Sequence, residues 1–161
     1  MITKNTIYKA GENGISINQQ SNDGTITSNK INSYGKRGIF IYEVGSATIN
    51  SNKVNAKVGN GSTDAFQIIG DNSSNNVFTI KSNTINDSNR YGMYINNAPK
   101  SYIASNIIKD TKKHALYLDG GSNYSKIYYN KILNTLESRN ENNSIGVSKS
   151  KEVKLNKNII E

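Results

Sequence analysis

Residues 90–119 are rich in side chains that can move protons or neutralise negative charge. Eight of them stand out by type: Arg90, Tyr91, Tyr94, Asn96, Lys113, His114, Tyr117 and Asp119. Imidazole and carboxylate groups are common general bases, and cations or amides stabilise negative charge that develops on a carboxylate. These types suffice for removing a proton next to a carboxylate, provided that the fold brings the two ends of the stretch together.

The chain is basic and rich in Asn. Its 161 residues include 27 Asn, 20 Lys and Arg, and 12 Asp and Glu, and the formal net charge of +8 favours a polyanionic partner. The absence of Cys excludes disulfides, thiolate metal sites and a Cys nucleophile. No apolar run approaches the roughly 20 residues that cross a bilayer, so we expect no membrane span. We expect no nucleic-acid partner either, because the basic residues do not follow one stripe with stacking aromatics.

The elements that must position these side chains are repeats. One motif recurs seven times: an aliphatic residue, any two residues, Asn, any one residue and a second aliphatic residue. The spacings from one Asn to the next are 24, 23, 31, 23, 24 and 28 residues. Each gap contains one small residue followed by aliphatic, any residue, aliphatic, as in Gly38-Ile39-Phe40-Ile41. Such alternation is typical of short strands with one buried face, and a unit of this length cannot bury that face alone. The period predicts an all-β chain, a parallel β-helix (β-solenoid) of about six coils in one domain, 1–161.

The repeated Asn is predicted to form a ladder. We expect it at a sharp bend between two strands, where Asn tolerates left-handed backbone angles and its amide can bond to the equivalent Asn one coil away. A Ser precedes four of the seven, which suits a tight corner. The predicted ladder comprises Asn5, Asn29, Asn52, Asn83, Asn106, Asn130 and Asn158.

With these repeats the chain resembles the right-handed parallel β-helices of the pectate-lyase-like superfamily. The resemblance rests on Gly38-Ile39-Phe40-Ile41 followed by Thr48-Ile49-Asn50-Ser51-Asn52-Lys53-Val54, together with their copies, and covers essentially the whole chain. The superfamily includes pectin and alginate lyases, mannuronan epimerases, polygalacturonases, phage tail spikes and non-catalytic surface proteins. The resemblance implies a single-stranded right-handed β-helix. By the same resemblance, the small-aliphatic-any-aliphatic segment is the first sheet strand of a coil, and the segments before and after the ladder Asn are the second and third.

The resemblance also implies a carbohydrate groove on the outer face of the first sheet. Alternation predicts two outward rows on that face: Ser16, Phe40, Gln67, Tyr94, Tyr117 and Gly146, and beside them Asn18, Tyr42, Ile69, Asn96, Asp119 and Ser148. Longer loops are expected beside it at residues 55–65, 69–77 and 133–144. Rings suit the apolar faces of sugars, and cations suit uronates. The expected polysaccharide-binding residues are Phe40, Tyr42, Gln67, Arg90, Tyr91, Asn96, Lys113 and Tyr117.

Catalysis has weaker support in the sequence. Rung and strand spacings place the carboxylates of Asp64 and Asp119 too far apart for glycoside hydrolysis, which needs a pair within about 5 to 9.5 Å. Uronate elimination or epimerisation needs one base and a stabilising cation, for which the candidates are Tyr94, His114 and Asp119. The diagnostic strings of lyases, epimerases and polygalacturonases are absent. We expect no cofactor; Asp64, Asp71, residue 72 and Asp119 carry ligands that Ca²⁺ accepts, but no calcium motif is present.

Two functions are therefore compatible with the sequence. The first is an extracellular domain that binds, and in the active case cleaves or epimerises, an acidic polysaccharide. The second is a non-catalytic structural or glycan-binding β-helix segment of a cell-surface protein or a virion tail spike. Because the sequence begins and ends inside a repeat, we also expect flanking β-helix segments, or a homo-oligomer, to cover the end coils.

Overall fold

A computed structural model gives the architecture, and it describes residues 1–19, 23–56, 64–71, 73, 75–134 and 144–161. Within these residues there are twenty strands and no helix, and accordingly no helix that could span a membrane. In chain order the strands are β1 (Ile2–Thr3), β2 (Thr6–Ile7), β3 (Asn13–Asn18), β4 (Gly24–Thr27), β5 (Lys30–Ile31), β6 (Arg37–Val44), β7 (Ser46–Asn50), β8 (Lys53–Asn55), β9 (Asp64–Gly70), β10 (Val77–Lys81), β11 (Thr84–Ser88), β12 (Met93–Asn96), β13 (Tyr102–Ala104), β14 (Ile107–Thr111), β15 (Leu116–Asp119), β16 (Lys126–Tyr128), β17 (Lys131–Leu133), β18 (Ile145–Val147), β19 (Lys154–Asn156) and β20 (Ile159–Ile160).

Every third strand joins the same parallel sheet. The first sheet has the order β18-β15-β12-β9-β6-β3, the second β1-β4-β7-β10-β13-β16-β19, and the third β2-β5-β8-β11-β14-β17-β20. The chain is therefore a right-handed parallel β-solenoid of about six coils, as the repeats predicted. Neighbouring coils stack at about 4.8 Å, the ordinary spacing of strands in a sheet.

The core is built from columns of aliphatic residues that pair with their equivalents one coil away. In the second sheet Ile26, Ile49 and Ile80 are register partners in succession, and all are fully buried. Burying one such side chain stabilises the fold by about 1.5–3 kcal/mol relative to leaving it in water. Side chains alternate in the strands of all three sheets, so the residues between the buried aliphatics face outward. On the first sheet, these outward residues form the candidate site.

The Asn ladder is present, and it joins all seven predicted Asn residues. In each of the six links the Nδ2 and the backbone N–H of one Asn both donate to Oδ1 of the next, and every Nδ2–Oδ1 distance is 2.9 or 3.0 Å. Nδ2 of Asn29 and of each later ladder Asn also donates to a carbonyl of the preceding coil, as Asn106 does to Ile80 at 3.0 Å. The ladder thus satisfies buried amides that would otherwise oppose folding.

One detail of the predicted ladder was wrong. The left-handed backbone angle belongs to the residue before each Asn, with φ between 52° and 58° at Lys4, Ser28, Ser51, Ser82, Ser105, Tyr129 and Lys157. The chain makes its sharp turn at that preceding residue. The Asn itself can then direct its amide between coils rather than serve as the bend.

The small residue at the start of each first-sheet strand has a packing reason. A Cβ added at Gly92 would lie 2.5 Å from the carbonyl oxygen of Ala115 and 2.5 Å from Cγ2 of Ile108. The backbone there passes too close to the next coil and to the third sheet for a larger side chain. This close approach explains why the second motif begins with a small residue.

Candidate functional site

The outer face of the first sheet has the residue rows that alternation predicts. Tyr94 pairs in register with Gln67 on one side and Tyr117 on the other, and Tyr117 pairs with Gly146. The next row pairs Tyr42 with Ile69, Ile69 with Asn96, and Asn96 with Asp119. Residues 23 to 29 apart in sequence are therefore neighbours on this face.

Four rings form a stacked cluster on this face, which we call the ring platform: Tyr91, Tyr94, His114 and Tyr117. The His114 and Tyr117 rings are closest, with centroids 4.8 Å apart and planes inclined by 17°. Tyr91 lies 5.4 Å from Tyr117 at an interplanar angle of 9°, and 5.7 Å from His114 at 14°. Tyr94 completes the cluster, 5.5 Å from Tyr91 and 6.0 Å from Tyr117. Near-parallel rings at these separations attract each other and are held in fixed orientations.

Gly146 provides the space into which the platform leans. A Cβ built on Gly146 would lie 2.5 Å from Cδ2 of Tyr117, 2.9 Å from its Cε2 and 3.2 Å from Cε1 of His114. Since no side chain projects there, the two rings cover this rung. The sequence places Gly146 in the outward row, but its role emerges only when the ring positions are known.

Arg90 is held at the edge of the platform by a buried carboxylate. Its Nε donates to Oδ1 of Asp64 at 2.7 Å, its Nη2 donates to Oδ2, and the backbone N–H of Tyr91 donates to Oδ1 at 3.2 Å. Asp64 is 1% exposed, and the guanidinium carbon of Arg90 lies 4.8 Å from the Tyr91 ring centroid. Hydrogen bonding to Asp64 raises the pKa of Arg90. Because Asp64 is committed to this pairing, it positions Arg90, a role that the sequence did not suggest.

Tyr94 and Asp119 are joined by a hydrogen bond. The Tyr94 hydroxyl donates to Oδ2 of Asp119 at 3.3 Å, and the N–H of Gly120 donates to Oδ1 at 2.8 Å. Burial raises the pKa of Tyr94, and the negative charge of Asp119 and this hydrogen bond raise it further. Burial also raises the pKa of Tyr91. Both tyrosines therefore stay protonated at neutral pH, as hydrogen-bond donors with apolar faces.

The other expected residues of coils three to five differ in accessibility. His114 is 8% exposed, because its ring is stacked against Tyr117 and Tyr91, whereas Lys113 beside it is exposed. Gln67 is also 8% exposed, and its Oε1 accepts a hydrogen bond from Nε of Arg37. Gln67 is thus engaged within the protein, while Lys113 is open to a ligand.

A second aromatic pair lies on the same face in coil two. The rings of Phe40 and Tyr42 are 5.9 Å apart, and the guanidinium carbon of Arg37 lies 4.2 Å from the Phe40 ring centroid. With Asn18 and Gln19 they line a shallow hollow of about 380 Å³. The rung that carries Gln67 and Ile69 lies between this pair and the ring platform, so the two aromatic clusters lie two rungs apart along the solenoid axis.

Part of the expected site lies outside the described residues. Residues 57–63 and 135–143 make up most of two of the expected loops, and residues 72 and 74 belong to the third. Within the described residues, no three His, Asp or Glu side chains come together where they could hold a metal ion.

Comparison of the chain with known protein families, with curated proteins and with solved structures found no match in any of the three.

Proposed function

We propose that this β-solenoid binds an acidic polysaccharide along the outer face of its first sheet. The observation that carries the proposal is the ring platform, four near-parallel rings fixed on adjacent rungs with Arg90 at their edge. The three tyrosines of the platform are half-buried and so partly open to a ligand, and aromatic rings suit the apolar faces of sugar rings. The Phe40 and Tyr42 pair extends the same surface toward coil one, which suits a linear polymer that lies along the axis.

Acidic groups of the polymer would meet cations and donors beside the rings. Arg90 uses Nε and Nη2 for Asp64, and a guanidinium has five N–H donors, so donors remain for a carboxylate. Lys113 is exposed next to the platform and adds a charge that no ion pair among the described residues neutralises. A half-buried guanidinium already held in place loses little freedom when it binds a carboxylate.

Binding without turnover is the function that these residues favour. A tyrosine acts as a base only as tyrosinate, and the raised pKa of Tyr94 opposes that form. His114 is largely covered by Tyr117 and Tyr91, which limits its access to a substrate proton. We therefore propose that the chain is a glycan-binding β-helix segment of the cell or virion surface, and keep polysaccharide lyase or epimerase activity as the second candidate.

The test is binding of the chain to immobilised polygalacturonate and alginate, with dextran as the neutral polymer. The Tyr117→Ala substitution removes a ring that contacts the other three, and we expect about a tenfold loss of affinity, since one stacking contact contributes about 1–3 kcal/mol. Tyr8→Ala is the matched control, because Tyr8 is 69% exposed and lies in coil one away from the platform.

Ultraviolet absorbance of unsaturated uronate and reducing-end release, followed on the same mixtures, tests the second candidate. Absence of binding to both acidic polymers, or equal loss in the Tyr117 and Tyr8 variants, contradicts the proposed site. Turnover that disappears in Tyr94→Phe would instead establish the enzyme.

A further inference from the structure

The outer face of the second sheet carries a separate cluster of lysines and tyrosines at its C-terminal end. We call it the Lys–Tyr face and define it by Tyr102, Lys126, Tyr128, Tyr129, Lys154 and Lys157. Tyr102, Lys126 and Lys154 are successive register partners in one outward row, and Tyr128 lies in the neighbouring row. Tyr129 and Lys157 occupy the corner that follows, each with positive φ just before a ladder Asn. The solenoid therefore gathers on three rungs side chains that span more than fifty residues of sequence.

Among the described residues no ion pair neutralises the lysines of this face, and the nearest acid in sequence is Glu152, in the turn two residues before Lys154. Lys126 and Lys154 are direct partners on adjacent strands, about 4.8 Å apart, an arrangement of like charges that is unfavourable by itself. Among the described residues, neither the two outward rows of the second sheet nor the corner after it contains an Asp or a Glu. The described residues of the C-terminal part, 98–134 and 144–161, hold ten Lys against four acids, whereas those before residue 98 hold eight Lys and Arg against six acids. Most of the net positive charge of the described residues therefore lies in this C-terminal part.

Two of the three tyrosines of the face are open to solvent, and Tyr128 is half-buried. Tyr129 is 53% exposed and Tyr102 is 37% exposed, and Nζ of Lys157 lies 5.5 Å from the Tyr129 ring centroid. The corner that leads onto this sheet has a groove of about 370 Å³, lined among others by Lys100 and by Tyr124, which is 53% exposed. Open rings beside point charges bind a partner that has both apolar faces and negative groups.

We infer that the Lys–Tyr face is a second polyanion-binding surface, distinct from the ring platform, and that its partner is an acidic polysaccharide. The inference is independent of the proposed function, because it uses none of the first-sheet residues. Tyr102 and Tyr128 are inclined at 89°, and Tyr128 and Tyr129 at 85°. Successive bases of a nucleic-acid strand stack in parallel planes, so mutually perpendicular rings do not suit them. A linear polymer that carries carboxylates or sulfates can follow the lysine row along the axis.

The experiment compares two triple variants that remove the same charge at different places. Lys126→Gln, Lys154→Gln and Lys157→Gln alter the face, and Lys9→Gln, Lys30→Gln and Lys53→Gln serve as the control. Lys30 and Lys53 are also exposed partners on adjacent rungs, but they lie in the third sheet. Binding to heparin and polygalacturonate is measured at low and physiological salt. We expect the first variant to lose about tenfold in affinity and much of its salt dependence, and the control less than about threefold.

Two further comparisons separate the explanations. The double variant Tyr102→Ala with Tyr129→Ala should weaken binding. In the Tyr117→Ala background, the lysine substitutions at 126, 154 and 157 should cause the same loss of affinity as before, which distinguishes this surface from the ring platform. Equal losses in the two lysine variants would show that net charge alone is responsible and would overturn the inference. Tighter binding of a single-stranded oligonucleotide than of either polysaccharide, lost in the same variants, would also overturn it. Circular dichroism checks the fold of each variant, whose altered side chains are exposed or half-buried.

Discussion

Replacing a central ladder residue, Asn106→Ala, tests the physical basis of the fold. Oδ1 of Asn106 accepts the backbone N–H of Asn83 at 2.9 Å and its Nδ2 at 3.0 Å, while its own Nδ2 donates to Asn130 at 2.9 Å and to the carbonyl of Ile80 at 3.0 Å. Asn106 is fully buried, so water cannot replace these partners. Each buried group left unpaired costs about 1–3 kcal/mol, and the N–H of Asn83 loses its only ladder partner, so we expect a destabilisation of about 1–3 kcal/mol.

The first ladder residue provides an internal comparison. Asn5 is exposed, and Oδ1 of Asn29 keeps the backbone N–H of Asn5 as a donor when the side-chain amide is removed. Asn5→Ala should therefore cost about 1 kcal/mol or less. Asn156→Ala, on the outer face of β19, should change stability by less than about 0.5 kcal/mol.

Urea unfolding followed by circular dichroism measures all three variants. The urea midpoint should be highest for Asn156→Ala, lower for Asn5→Ala and lowest for Asn106→Ala, and the denaturant slope should be the same in all three. If Asn106→Ala costs no more than Asn156→Ala, the ladder does not stabilise the coils, and the reasoning that connects the repeated Asn to the fold is wrong.

Five other variants test the corner, the platform and the hydrogen bond between Tyr94 and Asp119. Ser105→Val should destabilise by about 1–2 kcal/mol because a β-branched residue is strained at positive φ, whereas Ser105→Gly should be nearly neutral in the same urea titration. Gly146→Val should displace Tyr117, whose Cδ2 lies 2.5 Å from the new Cβ position, and lower affinity for the acidic polymer about as much as Tyr117→Ala does; unchanged affinity would contradict the role of the platform. Since the folded-state pKa of Tyr94 is raised, its contribution to stability is present below the unfolded value of about 10 and is lost as pH rises through the folded value. Tyr94→Phe should therefore reduce the alkaline loss of stability, and Asp119→Asn should shift the tyrosinate absorbance step to lower pH.

Most of the fold could be predicted from the sequence, because residues at equivalent positions of successive repeats contact each other in a stacked solenoid. Ile26, Ile49 and Ile80 are far apart in the chain, yet each lies at the same place in its unit, so the stacking of units determines their contact. The exception was the corner, where the sequence favoured Asn as the left-handed residue and the structure assigns that angle to Ser28 and its equivalents. Ser and Asn both fit a tight turn, and only the backbone path shows which of the two is bent.

The site was predicted only in part. Outward rows follow from alternation, so the neighbours of Tyr94 and Tyr117 could be named in advance. The direction in which the rings lean could not, because it depends on the missing side chain at Gly146 on another coil. The pairing of Arg90 with Asp64 likewise depends on the burial of Asp64 at the start of β9, which a pattern of residue types does not predict.

The sequence by itself determined the period, the sheets and the ladder, because those follow from apolar spacing that every coil repeats. Only the tertiary structure decided which charges are neutralised and which are left exposed. Arg90 and Lys126 are both cations in a basic chain, but one lies against a buried carboxylate and the other against a second lysine. The physical reason is that the strength of an electrostatic interaction depends on distance and burial, and for residues in different coils these are set by how the coils stack.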